Sequence, residues 1–366
     1  MCNKYSLFNR NSILERFLST SDETILYLGL LFLFTGFNLL EMLKLSIYIL
    51  GCISLYKILS FFYDFTENYI KKKLGKINKQ RINHSQWIMV TGSTDGIGKA
   101  IAKISILQNK NIVIIGRDQN KINKVLEEFE NIKYNKNESV LVDLSKIESI
   151  QTYIDFWVNE FDRLPVIDML FNNAGISLKG PIISSNYTEL ISILNVNVIS
   201  PLVITNTFLY KSKMENNIEN KFVELTSSGL SMLAVPYSKL YPFTKWFSTT
   251  MIKYYSHKMQ SFGFKNIFTY VLLGEVITKL SSGVANFETL TENDINGMSN
   301  LRYITSNQAA YSILFQGIGN LETSGHPNHY IITLFVKFMK ATWEAGIVKI
   351  LTKKRIKYLK SQGCTV

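Results

Sequence analysis

The stretch VTGSTDGIG, residues 90–98, decides the fold of this chain. It follows the apolar run WIMV and precedes a helical pattern that begins near Lys99. Glycines at a strand-to-helix turn let the backbone approach a pyrophosphate, and the helix N-terminus offers unpaired N–H groups to it. The spacing is GxxxGxG rather than GxGxxG, and taken alone it predicts a plain structural turn as readily as a phosphate site. The residues that would line such a site are Gly92, Ser93, Asp95, Gly96, Ile97 and Gly98.

From Trp87 onward, short apolar runs rich in Ile and Val alternate with helix-length segments. This alternation predicts repeated βαβ units, and therefore an α/β fold with a doubly wound parallel sheet of the Rossmann type. The runs are almost wholly apolar, so we expect strands that are buried on both faces. The polar segment 281–306 lacks periodicity and is expected to form a loop or lid. The strand-like runs are WIMV, NIVIIG, SVLVDL, VIDMLFNNAG, KFVELTSS and IFTYVLLG.

The positive charge of the chain lies outside this predicted sheet domain. The 366 residues carry a formal net charge of +12, and the segments 71–81 and 337–360 contribute +6 and +7, which leaves −1 for the remainder. A neutral body argues against a nucleic-acid-binding protein, and a basic flank beside apolar sequence favours an anionic membrane surface. The three cysteines stand far apart without a CxxC pattern, so we expect neither a disulfide framework nor a metal site.

Two apolar runs, 25–40 and 45–63, each approach the roughly 20 residues that a bilayer crossing needs. Basic residues precede and follow the pair, which predicts a transmembrane hairpin with both ends in the cytosol. A cleaved signal peptide is the competing interpretation.

The segment 330–351 places Thr333, Lys337, Lys340 and Glu344 on one helical face. It predicts a basic amphipathic helix on the membrane, with a core-packing helix after a strand at HYIIT as the alternative. The predicted organisation is a membrane anchor at 1–66, a basic linker at 67–85, the sheet domain at 86–330 and the amphipathic segment at 331–366.

The run NIVIIG ends in Gly116 and is followed by Arg117. A site specific for NAD normally has an acidic residue here against the ribose hydroxyls, whereas a guanidinium can bind a 2′-phosphate bidentately. Arg117 therefore favours NADP(H) as the cofactor. The neighbouring Asp118 and a merely solvated arginine are the alternatives.

In YPFTK, Tyr241 and Lys245 are four residues apart and share one face of a helix. Pro242 is compatible with the first turn of that helix. Ser228 ends the run KFVELTSS, thirteen residues before Tyr241. An unperturbed tyrosine has a pKa of about 10, and we expect a cation one helical turn away to favour the phenolate and lower that pKa.

The ordered set TGSTDGIG, VDL, NNAG, NVN, SS and YPFTK resembles the short-chain dehydrogenase/reductase family over about residues 86–330. The resemblance implies that Tyr241 gives a proton to a carbonyl oxygen, that Lys245 also holds the nicotinamide ribose, and that Ser228 hydrogen-bonds the substrate oxygen. It implies a water-holding role in proton relay for Asn197 rather than Asn195. Further implied cofactor contacts are Asp143, Asn172, Ala174, Gly175 and Thr278, although Leu273–Gly274 replaces the usual Pro-Gly of the family.

The glycine-rich turn, Arg117, the paired apolar runs and SGHPNHYI before a basic C-terminus resemble very-long-chain 3-oxoacyl-CoA reductases of the endoplasmic reticulum, some also described as 17β-hydroxysteroid dehydrogenases. This resemblance implies NADPH-dependent reduction of 3-oxoacyl-CoA in fatty-acid elongation, at the membrane and beside the other elongation enzymes, by a homodimer with a cytosolic catalytic domain. The alternatives are a dehydrogenase of steroids or other lipophilic ketones and a non-catalytic cofactor-binding relative. No nucleic-acid partner is expected.

Overall fold

The computed structural model describes residues 82–132, 135–178, 182, 185–233, 238–264, 267–278, 303–317 and 321–323, with Gly51, His329 and Lys353 as single positions. The apolar run at 25–40, the run at 45–63 apart from Gly51, the segment 330–351 and most of 281–306 lie outside the described residues. The chain divides into two compact units, Met1–Tyr69 and Ile70–Val366, and the features below belong to the second.

A parallel sheet forms the centre of this unit, and every strand pairing in it is parallel. Its strands are β1 Trp87–Thr91, β2 Asn111–Gly116, β3 Asn137–Leu141, β4 Met169–Asn172, β5 Phe222–Ser228, β6 Phe268–Leu273 and β9 Glu322–Thr323. A separate parallel pair consists of β7 Glu275–Ile277 and β8 Tyr303–Thr305. The order of the seven-stranded sheet is β3-β2-β1-β4-β5-β6-β9. This order reverses between β1 and β4, which confirms the doubly wound arrangement and places a crevice at their carboxyl ends.

Helices cover both faces of the sheet. They are α1 Gly96–Leu107, α2 Gln119–Ile132, α3 Ile150–Arg163, α4 Tyr187–Leu194, α5 Ser200–Met214, α6 Tyr241–Ser261 and α7 Ser306–Ser312. One apolar core joins Ile88 and Val90 of β1 to α1, α2 and α7. The other joins Met89 of the same strand to α3, α5 and α6. Successive strand residues thus enter opposite cores, which is why the strand runs are apolar throughout.

The strands differ in how well the apolar runs predict them. Strands β1, β2, β4, β5 and β6 are almost wholly buried, as expected. Strand β3 begins at Asn137 and ends at Leu141, so it overlaps the predicted run SVLVDL only in its last three residues. It is only partly buried because it lies at the sheet edge. In the segment 281–306, where a loop or lid is expected, the last described residues form β8 and begin α7.

Helices α4 and α5 are joined by a π-helical turn, Asn195–Ile199, into one helical stretch. Among the described residues this stretch, Tyr187–Met214, is the one long and apolar enough to cross a membrane, with a mean hydropathy of 1.5. Its apolar side chains Val203, Ile204 and Phe208 are buried in the core beside β4 and β5. Packing against the sheet therefore accounts for its composition.

A buried lysine and two partly exposed carboxylates lie at the end of the sheet opposite the crevice. Lys221, immediately before β5, has a fully buried side chain, and its Nζ donates to the carbonyl of Ile167 at 2.7 Å. The same ammonium lies 3.8 Å from Asp168 and 3.5 Å from Glu215. Asp168 in turn accepts the backbone N–H of Trp87 at 3.1 Å. These bonds tie the starts of β1, β4 and β5 together.

Candidate active site

The glycine-rich turn lies between β1 and α1, at the crevice. Gly92 and Gly96 have positive φ angles of 66° and 54°, which other residues rarely adopt. A Cβ at Gly98 would lie 2.4 Å from the carbonyl oxygen of Gly92 and 2.5 Å from Nδ2 of Asn173. The turn is therefore a tightly closed backbone cradle at a helix N-terminus, the arrangement that suits a phosphate.

Two side chains hold the cradle in place. Ser93 is fully buried, and its Oγ accepts the N–H of Ile115 in β2 at 2.9 Å. Asp95 is the N-cap of α1 and accepts the N–H of Gly96 at 2.8 Å. Ile97 follows in the first turn of the helix and packs against the core. The structure thus gives the turn a support that the glycine spacing alone does not reveal.

Thr278 lies against the cradle from the other side of the crevice. A Cβ at Gly96 would stand 3.4 Å from the Cγ2 atom of Thr278. A Cβ at Gly274 would stand only 2.7 Å from the Cδ2 atom of His329. Nδ1 of the same ring accepts the Gly274 N–H at 3.0 Å. The chain after β6 therefore reaches the cradle although Leu273–Gly274 replaces the usual Pro-Gly.

Arg117 and Asp143 follow the carboxyl ends of β2 and β3. Arg117 is exposed. The Asp143 carboxylate accepts the N–H of Ser145 at 3.0 Å and its hydroxyl at 2.7 Å. Partial burial works to raise the pKa of Asp143, but the bonds from Ser145 and the charge of Arg117 hold it below its ordinary value. Both charges stand where a Rossmann fold holds the adenosine half of a dinucleotide.

Ser228, Tyr241 and Lys245 come together at the end of β5. Ser228 is the last residue of that strand, and Tyr241 begins α6 with Pro242 in the first turn. The Ser228 hydroxyl lies near enough to the Tyr241 phenol to act on the pKa of that phenol. Lys245 Nζ lies 5.8 Å from the centre of the Tyr241 ring. The neighbouring Ser227 points to the opposite face, where its Oγ donates to the Lys245 carbonyl at 3.1 Å.

The charges in this cluster are governed by burial. Burial raises the pKa of Tyr241 to about 12, although the nearby Ser228 hydroxyl opposes the shift. Burial lowers the pKa of Lys245 to about 8, and the negative charge of Glu224 opposes that shift. The expected lowering of the Tyr241 pKa is therefore wrong for this arrangement, because burial of the phenol outweighs the nearby cation. The ammonium donates instead to the Thr226 carbonyl at 2.8 Å, so burial of the phenol dominates.

Asn197 lies in the π-helical turn, a kind of distortion that is frequent at functional sites. Its Oδ1 accepts the N–H of Ile176 at 2.9 Å. Its Nδ2 donates to the carbonyl of Ile176 at 2.9 Å and to the hydroxyl of Thr244 at 3.0 Å. These bonds fix the amide beside α6, one residue before Lys245. Asn195 instead donates to the carbonyl of Ser145 at 2.9 Å and faces the loop after β3.

The NNAG turn after β4 lies between the cradle and Lys245. A Cβ at Gly175 would stand 3.2 Å from Lys245 Nζ, and Ala174 packs on Gly92. The side chain of Asn172 points into the interior, where it donates to Thr205 of α5 at 2.9 Å. The backbone of this turn at Ala174 and Gly175 therefore lies at the crevice, whereas the Asn172 side chain is buried against α5.

Asn173 is a residue that sequence reasoning misses. Its Nδ2 donates to the carbonyl of Thr91 at 3.2 Å and lies directly against Gly98. It thus joins the turn after β4 to the cradle after β1. The signal was present in the doubled asparagine of NNAG, but only the contacts show which of the two faces the crevice.

The model of the short chain dehydrogenase family matches residues 86–285. This chain belongs to the short-chain dehydrogenases. That family consists of oxidoreductases that act on alcohol and ketone groups, and the ordered motifs from the glycine-rich turn to YPFTK are its motifs.

Curated relatives agree with this membership at low identity. The chain is 26% identical to dehydrogenase/reductase SDR family member 7B of Xenopus laevis over 48% of its own length and 54% of that protein. It is 30% identical to the very-long-chain 3-oxoacyl-CoA reductase of Mus musculus, over 44% of its own length and 51% of that protein. The match thus spans about half the length of both. It is 23% identical to inactive hydroxysteroid dehydrogenase-like protein 1 of Homo sapiens, over 80% and 85% of the two chains.

Solved structures confirm the fold of this short-chain dehydrogenase. A short-chain dehydrogenase from Sphingobium yanoikuyae in complex with NADPH matches with a TM-score of 0.52 and 14% identity, over 63% of this chain and 83% of that one. A 7beta-hydroxysteroid dehydrogenase matches with a TM-score of 0.58 and 18% identity, over 73% and 96%.

The residues of this short-chain dehydrogenase fit a dinucleotide. The cradle admits only glycine at its closest contact, and a helix N-terminus faces it. A guanidinium follows β2 at one end of the crevice, and the Lys245 ammonium lies beside Gly175 at the other. This spread of donors along the carboxyl ends of β1, β2, β4 and β5 suits an elongated anionic cofactor.

Proposed function

We propose that this short-chain dehydrogenase reduces very-long-chain 3-oxoacyl-CoA to 3-hydroxyacyl-CoA with NADPH. The observation that carries the reductase chemistry is the cluster of Ser228, Tyr241 and Lys245 at the mouth of the crevice. The match to the mouse reductase supports the substrate class. The N-terminal apolar runs support it further, because the acyl chain of this substrate partitions into lipid.

NADP(H) is the proposed cofactor, held by the cradle of Gly92 to Gly98, by Asp143 and by the turn that ends in Gly175. Arg117 would bind the 2′-phosphate, and its exposed guanidinium has room for a bidentate contact. When bound, the reduced nicotinamide supplies the hydride. The neighbour from Sphingobium yanoikuyae, crystallised with NADPH, supports this cofactor.

The residues of this chain move the proton. Tyr241 donates its phenolic proton to the substrate carbonyl oxygen, and its raised pKa keeps the proton in place until charge develops there. Ser228 donates a hydrogen bond to the same oxygen and stabilises that charge. The Lys245 ammonium stabilises the phenolate that remains. Asn197, fixed to Ile176 and Thr244, holds the water through which the proton is replaced.

We place the protein in the endoplasmic reticulum membrane with its catalytic domain in the cytosol. This proposal rests on the apolar runs at 25–40 and 45–63 and on the basic segments that follow them and end the chain. The basic segments would also attract the anionic CoA head group. In this proposal the protein is a homodimer and works beside the other fatty-acid elongation enzymes.

A second candidate is a dehydrogenase of steroids or other lipophilic ketones. It uses the same catalytic residues and the same anchor, and the structural likeness to a 7beta-hydroxysteroid dehydrogenase is compatible with it. A non-catalytic role is less favoured, although one relative is named inactive, because Ser228, Tyr241, Lys245 and Asn197 are all present at the same end of the crevice.

The test is NADPH oxidation by the detergent-solubilised full chain with a C16 or C18 3-oxoacyl-CoA, with estrone as the steroid control. Turnover on the acyl-CoA that disappears in Tyr241→Phe supports the proposal. Turnover of estrone without turnover of the acyl-CoA supports the second candidate, a dehydrogenase of steroids or other lipophilic ketones. Absence of turnover on both, in a protein that still binds NADPH, leaves the non-catalytic role.

A further inference from the structure

Strand β5 contains a carboxyl group where a buried strand normally has only apolar side chains. Glu224 lies in the middle of the strand and has no exposed surface. Its neighbours in register are Phe171 of β4 and Thr269 of β6. An ionised carboxylate in such a place is costly unless a hydrogen bond, a counter-charge or a proton compensates it.

Thr226 connects this carboxyl to the catalytic lysine. The Thr226 hydroxyl donates to the Glu224 carboxyl oxygens, at 3.1 and 3.3 Å. The backbone carbonyl of the same residue accepts the Lys245 ammonium at 2.8 Å. One residue therefore holds a buried acid on one side and a buried base on the other.

Few other charges act on this lysine. On its own helix, the Tyr241 phenol is the titratable group nearby, with its ring centre 5.8 Å from Nζ. The turn after β4 presents Gly175 and the π-helical turn presents the amide of Asn197, both neutral. Among the charged residues that the structure describes, Glu224 is the one whose charge acts on Lys245.

We propose that Glu224 is a positioning residue for hydride transfer, and that its buried carboxyl keeps the Lys245 ammonium charged in the pH range where Tyr241 must donate its proton. This inference rests on the proposed oxidoreductase function and adds a residue to it. Burial raises the pKa of Glu224 to about 8, against the hydrogen bond from Thr226 and the charge of Lys245. Glu224 and Lys245 therefore titrate in the same pH range, and the charge of each changes the pKa of the other.

The consequence is a defined response to alkaline pH. As the pH rises and Glu224 ionises, its negative charge favours the ammonium form of Lys245 and opposes the loss of that charge to burial. Without the carboxylate, burial lowers the pKa of Lys245 unopposed, so the lysine becomes neutral at a lower pH. The phenol of Tyr241 then loses the cation that stabilises its ionised form.

The test compares the pH profiles of kcat in the wild type and in Glu224→Gln. Glutamine keeps the size and still accepts the Thr226 hydroxyl, so only the charge is removed. We expect the alkaline limb to move by about one pH unit or more towards acid, with roughly tenfold lower kcat on that limb and little change at lower pH. The control Glu127→Gln removes the same charge from an exposed position on α2 and leaves the limb in place.

A profile of Glu224→Gln that superimposes on the wild type, or a uniform loss of kcat without movement of the limb, overturns the proposal. A second readout needs no turnover: the unfolding midpoint as a function of pH, which depends on the coupled titration. If the wild type turns over none of the substrates offered, the proposed function fails. The coupling then stands if Glu224→Gln changes the pH dependence of unfolding less in a Lys245→Met background than in the wild-type background, and it falls if the change is the same in both.

Discussion

Replacement of Gly98 by alanine tests the closed cradle directly. The new Cβ would stand 2.4 Å from the Gly92 carbonyl oxygen and 2.5 Å from Asn173 Nδ2, both well inside van der Waals contact. Overpacking of this kind costs about 1–3 kcal/mol, and the better helix propensity of alanine returns about 1 kcal/mol. The net loss of up to about 2 kcal/mol lowers the unfolding midpoint of a domain of this size by up to about 8 °C.

The same displacement opens the cradle, so we expect NADPH affinity to fall by about tenfold or more. Thermal unfolding and fluorescence titration with NADPH measure the two effects. Gly229→Ala is the matched control, because its Cβ would meet its nearest atom, the carbonyl oxygen of Leu273, at an ordinary 3.7 Å. If Gly98→Ala unfolds and binds NADPH like Gly229→Ala, the contacts of the cradle are not those described.

Three further outcomes are expected. Lys221→Met removes a buried ammonium from Asp168 and from the Ile167 carbonyl, and urea titration should show a loss of about 1–3 kcal/mol in the free energy of unfolding. An unchanged midpoint would contradict a stabilising role for these Lys221 contacts. Arg117→Ala should lower the preference for NADPH over NADH, measured as a ratio of kcat/KM, by roughly 10–100-fold, and an unaltered ratio would refute the 2′-phosphate contact. Because the pKa of Glu224 is raised from 4.5 to about 8, the folded chain holds an extra proton between these values. The free energy of unfolding should therefore fall as the pH rises across that window, by at most about 1.4 kcal/mol per unit, and a rising slope there would contradict the sign.

The sequence predicts most of what lies along the crevice. Apolar runs predict the strands because burial on both faces leaves no polar position, and the fixed spacing of YPFTK predicts a shared helical face for Tyr241 and Lys245. Pro242 correctly indicates the start of α6, since proline suits the first turn of a helix.

Other features depend on distant contacts that no local pattern contains. Strands β7 and β8 are only three residues each and pair across a long separation in sequence, so period-two alternation is not visible in them. The pKa of Tyr241 follows from how deeply the phenol is buried, and the cation one turn away does not decide it. Glu224 is visible in the sequence as an acid within a buried run, but its relation to Lys245 requires the Thr226 bridge.

The residues of the crevice come from the ends of strands that are far apart in the chain, from Gly92 after β1 to Thr278 after β6. Each parallel pairing closes a long loop before any contact compensates the lost chain entropy, so such sheets form slowly. Strand β1 must pair with β4, β4 with β5 and β5 with β6 before Gly96 and Thr278 face each other. During refolding, recovery of helical signal should therefore precede recovery of nucleotide binding, and a nascent chain that ends before β6 has no complete site, however much helix it contains.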